Sequence, residues 1–168
     1  MPETSRIVIN TAPLISLVAA LGDLTVLQSL YCQVLVPFEV CKEILAGGST
    51  GFAVAEFSAA SWLQKWSTPL TISPILINSL DKWEAAVIQL AIIENIPTVC
   101  IDETAGRRIA RLSGLSVTGS IGILLRAKRE GYPFSMREAI QRMRSRGIRL
   151  SETVVAFALE QAGEGDLS

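Results

Sequence analysis

Histidine is absent from the 168 residues of this chain. Its absence excludes Ser-His-Asp and Cys-His catalysis, histidine general bases and histidine metal ligands. Any chemistry must rest on carboxylates, hydroxyls, lysine or arginine, or on a metal held by oxygen. Cysteine is scarce: Cys32, Cys41 and Cys100 form no CxxC pair and are odd in number. They are expected as small buried hydrophobes in a reducing cytoplasm. No apolar run reaches the roughly 18 residues that a membrane helix needs. Ala12 to Leu21 comes nearest, and Gly22-Asp23 ends it. The opening Met1-Pro2-Glu3-Thr4-Ser5-Arg6 does not read as a signal peptide, so a cytoplasmic protein is expected. GxxxxGK[ST], GxGxxG and GxSxG are also missing, and Gly47-Gly48-Ser49-Thr50-Gly51 matches no phosphate loop.

The length suits one domain spanning residues 1–168, with a core from about 6 to 150 and a C-terminal helix at about 151–162. Hydrophobic residues make up 49% and aromatics 6%, which argues against disorder and for an aliphatic, layered interior. A net charge of −1 hides an uneven spread. Residues 1–100 carry four basic side chains (Arg6, Lys42, Lys65, Lys82) and eight acidic ones, whereas residues 101–150 carry eleven basic and four acidic. The tail after Leu150 has four acids and no base. The basic segment is either a phosphate-facing surface or a set of side chains solvating helix faces.

Taken in order, Arg6 to Asn10 reads as a first strand. Thr11-Ala12-Pro13 opens a helix that Gly22 closes. A second helix is expected from Asp23 to Leu30, and Val34-Leu35-Val36 is a second strand. Phe38 to Leu45 is a helix with Val40, Cys41, Ile44 and Leu45 on one face and Glu39 and Glu43 on the opposite, polar side. Residues 51–61 are expected to be helical and Trp62 to Trp66 a strand. Asp81 to about Asn95 is apolar around almost its full circumference, the pattern of a buried helix. Glu84 heads a stripe of it that should lie inside. Thr98 to Ile101 is a strand, followed by a basic helix with Arg107, Arg108 and Arg111 that Gly114 ends. Leu115 to Thr118 is another strand. Helices follow at Ile121–Glu130, Ser135–Arg146 and Ser151–Ala162, and the last few residues are expected to be loose. Apolar strands alternating with helices predict an α/β fold with a mostly parallel sheet covered by helices.

Polar residues at element ends in apolar surroundings mark where chemistry could sit. They are Asn10, Glu43, Glu84 and Asp102. Parallel strands would project Asn10 and Asp102 from the same sheet edge, where sites in open α/β sheets are built. Carboxylates buried close together require protons or cations, and oxygen ligands suit magnesium or manganese. Such an ion can activate water against a phosphodiester. Each residue also has a purely structural explanation. Asp81 and Glu84 fit a D-x-x-E capping box. Asp102 or Glu103 can cap the following helix. Glu43 can be a solvated glutamate. Asn10 or Thr11 can be a cap before Pro13. Ser120 can be an N-cap, or Gly119-Ser120 can hold a phosphate.

Val8-Ile9-Asn10-Thr11-Ala12-Pro13-Leu14-Ile15 resembles the opening strand and turn of PilT N-terminus (PIN) domains. More narrowly, it resembles an uncharacterised prokaryotic branch related to the toxin nucleases of toxin–antitoxin pairs. Val36-Pro37-Phe38-Glu39-Val40-Cys41-Lys42-Glu43-Ile44 resembles the segment with the second acidic residue. Leu80-Asp81-Lys82-Trp83-Glu84-Ala85-Ala86 is similar to that branch's L-D-x-G-E-A motif, with Trp83 in place of glycine. Ile101-Asp102-Glu103, Gly106-Arg107, Ala110 and Val117 to Leu124 resemble the rest. The match runs from about residue 6 to Gly163-Glu164.

The resemblance implies a three-layer α/β/α fold with a central parallel sheet, and a magnesium- or manganese-dependent ribonuclease. Its acidic pocket would hold Asn10, Glu43, Glu84 and Asp102, with Ser120 as a polar neighbour. Homodimers, an antitoxin partner and RNA as substrate are implied with it. The basic segment around Arg107, Arg108, Arg111 and Lys128 is then expected to draw in RNA through phosphate contacts. One position departs from the pattern. Active PIN nucleases normally have aspartate where this chain has Asn10. A carboxamide ligates through oxygen without charge, so three carboxylates should hold a divalent ion more weakly than four. The alternative is a catalytically weakened PIN fold that serves as an RNA- or protein-binding module.

Overall fold

The computed structural model describes residues 5–165. In chain order the elements are β1 (Arg6–Ile9), α1 (Thr11–Leu21), α2 (Thr25–Leu30), β2 (Gln33–Val36), α3 (Phe38–Leu45), α4 (Val54–Ala59), β3 (Gln64–Lys65) and α5 (Pro74–Ser79). They continue with α6 (Lys82–Ile93), β4 (Thr98–Cys100), α7 (Thr104–Leu112), β5 (Ser116–Thr118), α8 (Ser120–Arg129), α9 (Met136–Ser145) and α10 (Glu152–Gln161). The five strands pair in the order β3-β2-β1-β4-β5, and every pair is parallel. Ile7, Val8, Ile9, Val34, Leu35, Val36, Val99 and Cys100 are all buried. Strands covered on both faces need apolar side chains on both, which is why these runs do not alternate. Helices flank the sheet: α1 packs with α8 and α9, α6 packs with α5 and α7, and α3 meets both α1 and α6. No described helix is long and apolar enough to cross a membrane.

The strand order determines where a site can form. From β1 the chain moves outward to β2 and β3 on one side, then returns to place β4 and β5 on the other. The order reverses between β1 and β4, which leaves a crevice at the carboxyl ends of those two strands. Asn10 follows β1 and Asp102 follows β4, so both stand at this switch point.

Several expectations are corrected. A short helix, α5, was not anticipated; Pro74 in its first turn is the signal that marks it. The strand expected at Trp62–Trp66 shrinks to Gln64–Lys65. Leu45 is exposed rather than on the buried face of α3. Ile92 and Ile93, at the end of the otherwise buried α6, are exposed as well. Cys32 is exposed, with its thiol donating to the Ser5 carbonyl at 3.0 Å, whereas Cys41 and Cys100 are buried as free thiols.

Of the last few residues, expected to be loose, Glu164 is held in place, and residues 166–168 lie outside the described residues. The Glu164 carboxylate accepts from the backbone amides of Met136 (2.7 Å) and Arg137 (3.1 Å) and pairs with Lys128 (3.0 Å). It therefore caps α9 from a distance, neutralising the positive end of the helix. Burial works to raise its pKa. The Met136 amide, the Lys128 ammonium and the Arg137 amide outweigh this and hold the carboxyl down to about 2.

Candidate active site at the carboxyl edge of the sheet

Asn10 is the N-cap residue of α1, yet its side chain makes no capping hydrogen bond. Its backbone N–H donates to the Cys100 carbonyl at 3.0 Å, which stitches the end of β1 to β4. Its Oδ1 is buried without a partner, and so is the neighbouring Thr11 Oγ1. A buried acceptor left unpaired costs roughly 1–3 kcal/mol, so capping does not explain Asn10.

Asp102 does not cap α7, the helix that follows it. The N-cap there is Glu103, and it makes no side-chain bond. Asp102 reaches across to α8 instead, where its Oδ1 accepts the Ser120 amide at 2.8 Å and its Oδ2 accepts the Ser120 hydroxyl at 3.0 Å. Ser120 is thus the first helical residue of α8 rather than its cap, which is Gly119. Burial pushes the Asp102 carboxyl up, and the Ser120 amide, the Ser120 hydroxyl and the Arg107 guanidinium act against that rise. Arg107 itself is held by a 2.9 Å bond from Nη1 to the Ile101 carbonyl. A methyl group at Gly119 would stand 2.7 Å from Asp102 Oδ1 and 2.8 Å from Arg107 Nη1. Only glycine leaves both groups in place there.

Glu84 is buried in the first turn of α6. Asp81 caps that helix by accepting the Glu84 amide at 2.8 Å, so half of the capping box forms. The glutamate carboxylate is not explained by it, because Oε2 is buried without a partner. Burial first, then the negative charges of Asp81 and Glu103, push its pKa up to about 7. The carboxylate packs on the first turn of α7, where a methyl group at Gly106 would lie 2.7 Å from Glu84 Oε2 and 2.9 Å from Ile101 Cγ2. Helix propensity alone favours alanine over glycine by roughly 0.5–1 kcal/mol. Crowding two buried side chains costs roughly 1–3 kcal/mol. Gly106→Ala is therefore expected to lower the thermal midpoint by several degrees. A raised midpoint would mean that Glu84 swings away freely.

The structure does not place Glu43 with Asp102. Asp102, Glu103, Arg107 and Ser120 line a cleft of about 970 Å³. Glu43 is half-buried and lines a different hollow of about 550 Å³, with Glu39, Lys42, Lys82 and Trp83. Among the described residues, no three acids or cysteines converge closely enough to hold a metal ion between them. Glu39, expected on a polar face, is buried. Its Oε2 accepts the Leu70 amide at 3.1 Å and its Oε1 has no partner.

The basic segment is also largely engaged. Lys128 donates to the Phe134 carbonyl at 2.5 Å and pairs with Glu164, so its charge is already partnered within the chain. Arg126 binds Glu130 and Arg144 binds Glu152, while Arg142 reaches the Ala20 carbonyl. The side chains of Arg108, Arg111 and Arg149 make no hydrogen bond or ion pair among the described residues. Of the basic side chains, Arg107 and Arg149 line the Asp102 cleft. Sequence reasoning missed Arg149 and the whole wall formed by residues 148–157, for which no local motif gives a sign.

A half-buried acid near a guanidinium, at the switch point of a parallel α/β sheet, defines a class of site suited to phosphate chemistry. The model of the PIN domain family matches residues 6–164. The chain belongs to the PIN domain family, a family of nuclease type. No curated protein matches the chain.

Proposed function

We propose that the chain is a divalent-metal-dependent endoribonuclease. The observation that supports this best is two partnerless buried oxygens, Asn10 Oδ1 at the end of β1 and Glu84 Oε2 in the first turn of α6, together with the Asp102 carboxylate that follows the neighbouring strand β4. Unpaired buried acceptors are what a hard cation satisfies, and the donor set is all oxygen. Asn10, Glu84 and Asp102 are the residues that would hold magnesium or manganese. Glu43, which lines a separate hollow, is the fourth candidate ligand in this proposal. Bound there, the ion would supply Lewis-acid charge to a phosphodiester.

The chain's own residues do the rest. Ser120 holds both oxygens of Asp102, fixing the carboxylate's direction. Arg107, tied to the Ile101 carbonyl, offers a guanidinium to a phosphate beside that carboxylate. The Ser120 amide, at the start of α8, favours negative charge nearby. RNA is the substrate in this proposal, and the role is that of the toxin in a toxin–antitoxin pair, acting as a homodimer.

A second function is favoured by Asn10, which brings no charge to the set. The fold could serve as an RNA- or protein-binding module. Asn10→Asp separates the two. Wild-type cleavage of single-stranded RNA that needs manganese or magnesium and stops with chelator is the expected result, and Asn10→Asp should increase it. Cleavage by Asn10→Asp alone would make the natural protein a degenerate nuclease. Titration calorimetry that finds no metal binding to either would overturn the proposal.

A further inference from the structure

We propose that Phe157 is a stacking platform for an unpaired base of the RNA, with Arg149 gripping the adjoining phosphate. This rests on the ribonuclease function proposed above. The Asp102 cleft, about 970 Å³, is larger than an acid pocket needs, and one wall comes from residues 148–157. On that wall Phe157 is 55% exposed and Val154 38% exposed. An aromatic ring left that open, in a chain so poor in aromatics, sits in the same cleft as the candidate catalytic acid. Arg149 stands on the same wall, and Arg107 sits deeper, beside Asp102.

The cleft therefore combines two arginines and an exposed aromatic ring with the Asp102 carboxylate. A protein partner with a purely apolar face would bury Phe157 and Val154 and leave two guanidiniums unpaired. A nucleic acid strand uses both kinds of group, since its phosphates pair with guanidinium and its bases stack on aromatic rings. Only an unpaired base offers its face to Phe157, so the strand must be single-stranded at this point. Phe157 then sets substrate form and strand register, while Asp102 and Ser120 stay at the reacting end.

The test is the binding of a labelled single-stranded oligoribonucleotide, followed by fluorescence anisotropy in calcium so that binding is read without turnover. Phe157 is exposed, so its substitution should leave the fold intact. Phe157→Ala and Phe157→Leu should each weaken binding by about tenfold, and Phe157→Trp should retain it. Arg149→Ala should weaken binding and flatten its salt dependence. Duplex RNA of the same sequence should not respond to residue 157. If wild type binds and cleaves RNA and Phe157→Ala binds equally well, this inference fails while the ribonuclease function stands. If wild type binds no RNA, both fail. Unchanged RNA affinity with a loss of dimer in sedimentation would overturn the inference and make the wall an interface between copies.

Discussion

Asp102→Asn should fold like the parent and lose metal-dependent RNA cleavage by more than about a hundredfold. The substitution separates two jobs of one side chain. As a structural group, Asp102 accepts the Ser120 amide and hydroxyl and so ties β4 to the start of α8. Asparagine keeps an acceptor for the amide, and it removes a charge that burial disfavours. Its thermal midpoint should therefore stay close to that of the wild type. As a proposed metal ligand, Asp102 supplies charge that asparagine cannot. Loss of partners that merely orient metal ligands costs 10–100-fold in affinity or activity, so loss of a ligand should cost more. Asp102→Ala removes both jobs and should lose stability as well, by about the 1 kcal/mol of a helix cap. Cleavage and thermal denaturation measured on the same samples decide the matter. Full cleavage by Asp102→Asn would remove this residue from the catalytic set.

Glu84→Gln should stabilise the metal-free protein at alkaline pH by an amount on the order of 3 kcal/mol, and leave it unchanged in acid. The carboxyl titrates near 4.5 in an unfolded chain and near 7 when folded. Below the first value it is protonated in both states and contributes nothing. Between the two values the folded state keeps a proton that the unfolded state has released, so stability falls as pH rises. Above 7 the full penalty is present. Glutamine has the shape of the protonated acid and no charge to desolvate. Urea denaturation in chelator, at about pH 4 and about pH 8, should show the gap opening only at the higher pH. Magnesium should then narrow it, because a bound cation favours the ionised glutamate. A gap that is equal at both pH values would mean that the folded protein already compensates the charge of Glu84.

How much was legible depended on whether a residue's role is set by near or distant chain. The parallel sheet was legible because Arg6–Ile9, Gln33–Val36 and Thr98–Cys100 carry runs of β-branched and apolar residues between helix signals. Asn10 and Asp102 were legible as edge residues because each ends such a run. The burial of Glu84 was legible from its alignment with Ile88 and Ala91. Glu39 was not, because a glutamate four residues before Glu43 reads as a polar face. Only the segment around Leu70 shows what covers it.

The sequence by itself determined the alternation of strands and helices, most of the helix limits, the family and the sheet edge that carries the candidate site. These follow from periodicity, caps and breakers, which act over a few residues. The tertiary structure alone decided which side chains share a cavity. It placed Asp102 with Ser120 and Arg107, and Glu43 elsewhere. It turned most of the basic segment to packing, as when Arg142 binds a carbonyl 122 residues away and Arg126 one 96 residues away. It also brought Phe157 and Arg149 to the wall of the cleft. Such pairings depend on how whole elements dock, and a side chain's distant partner leaves no mark on its neighbours in sequence.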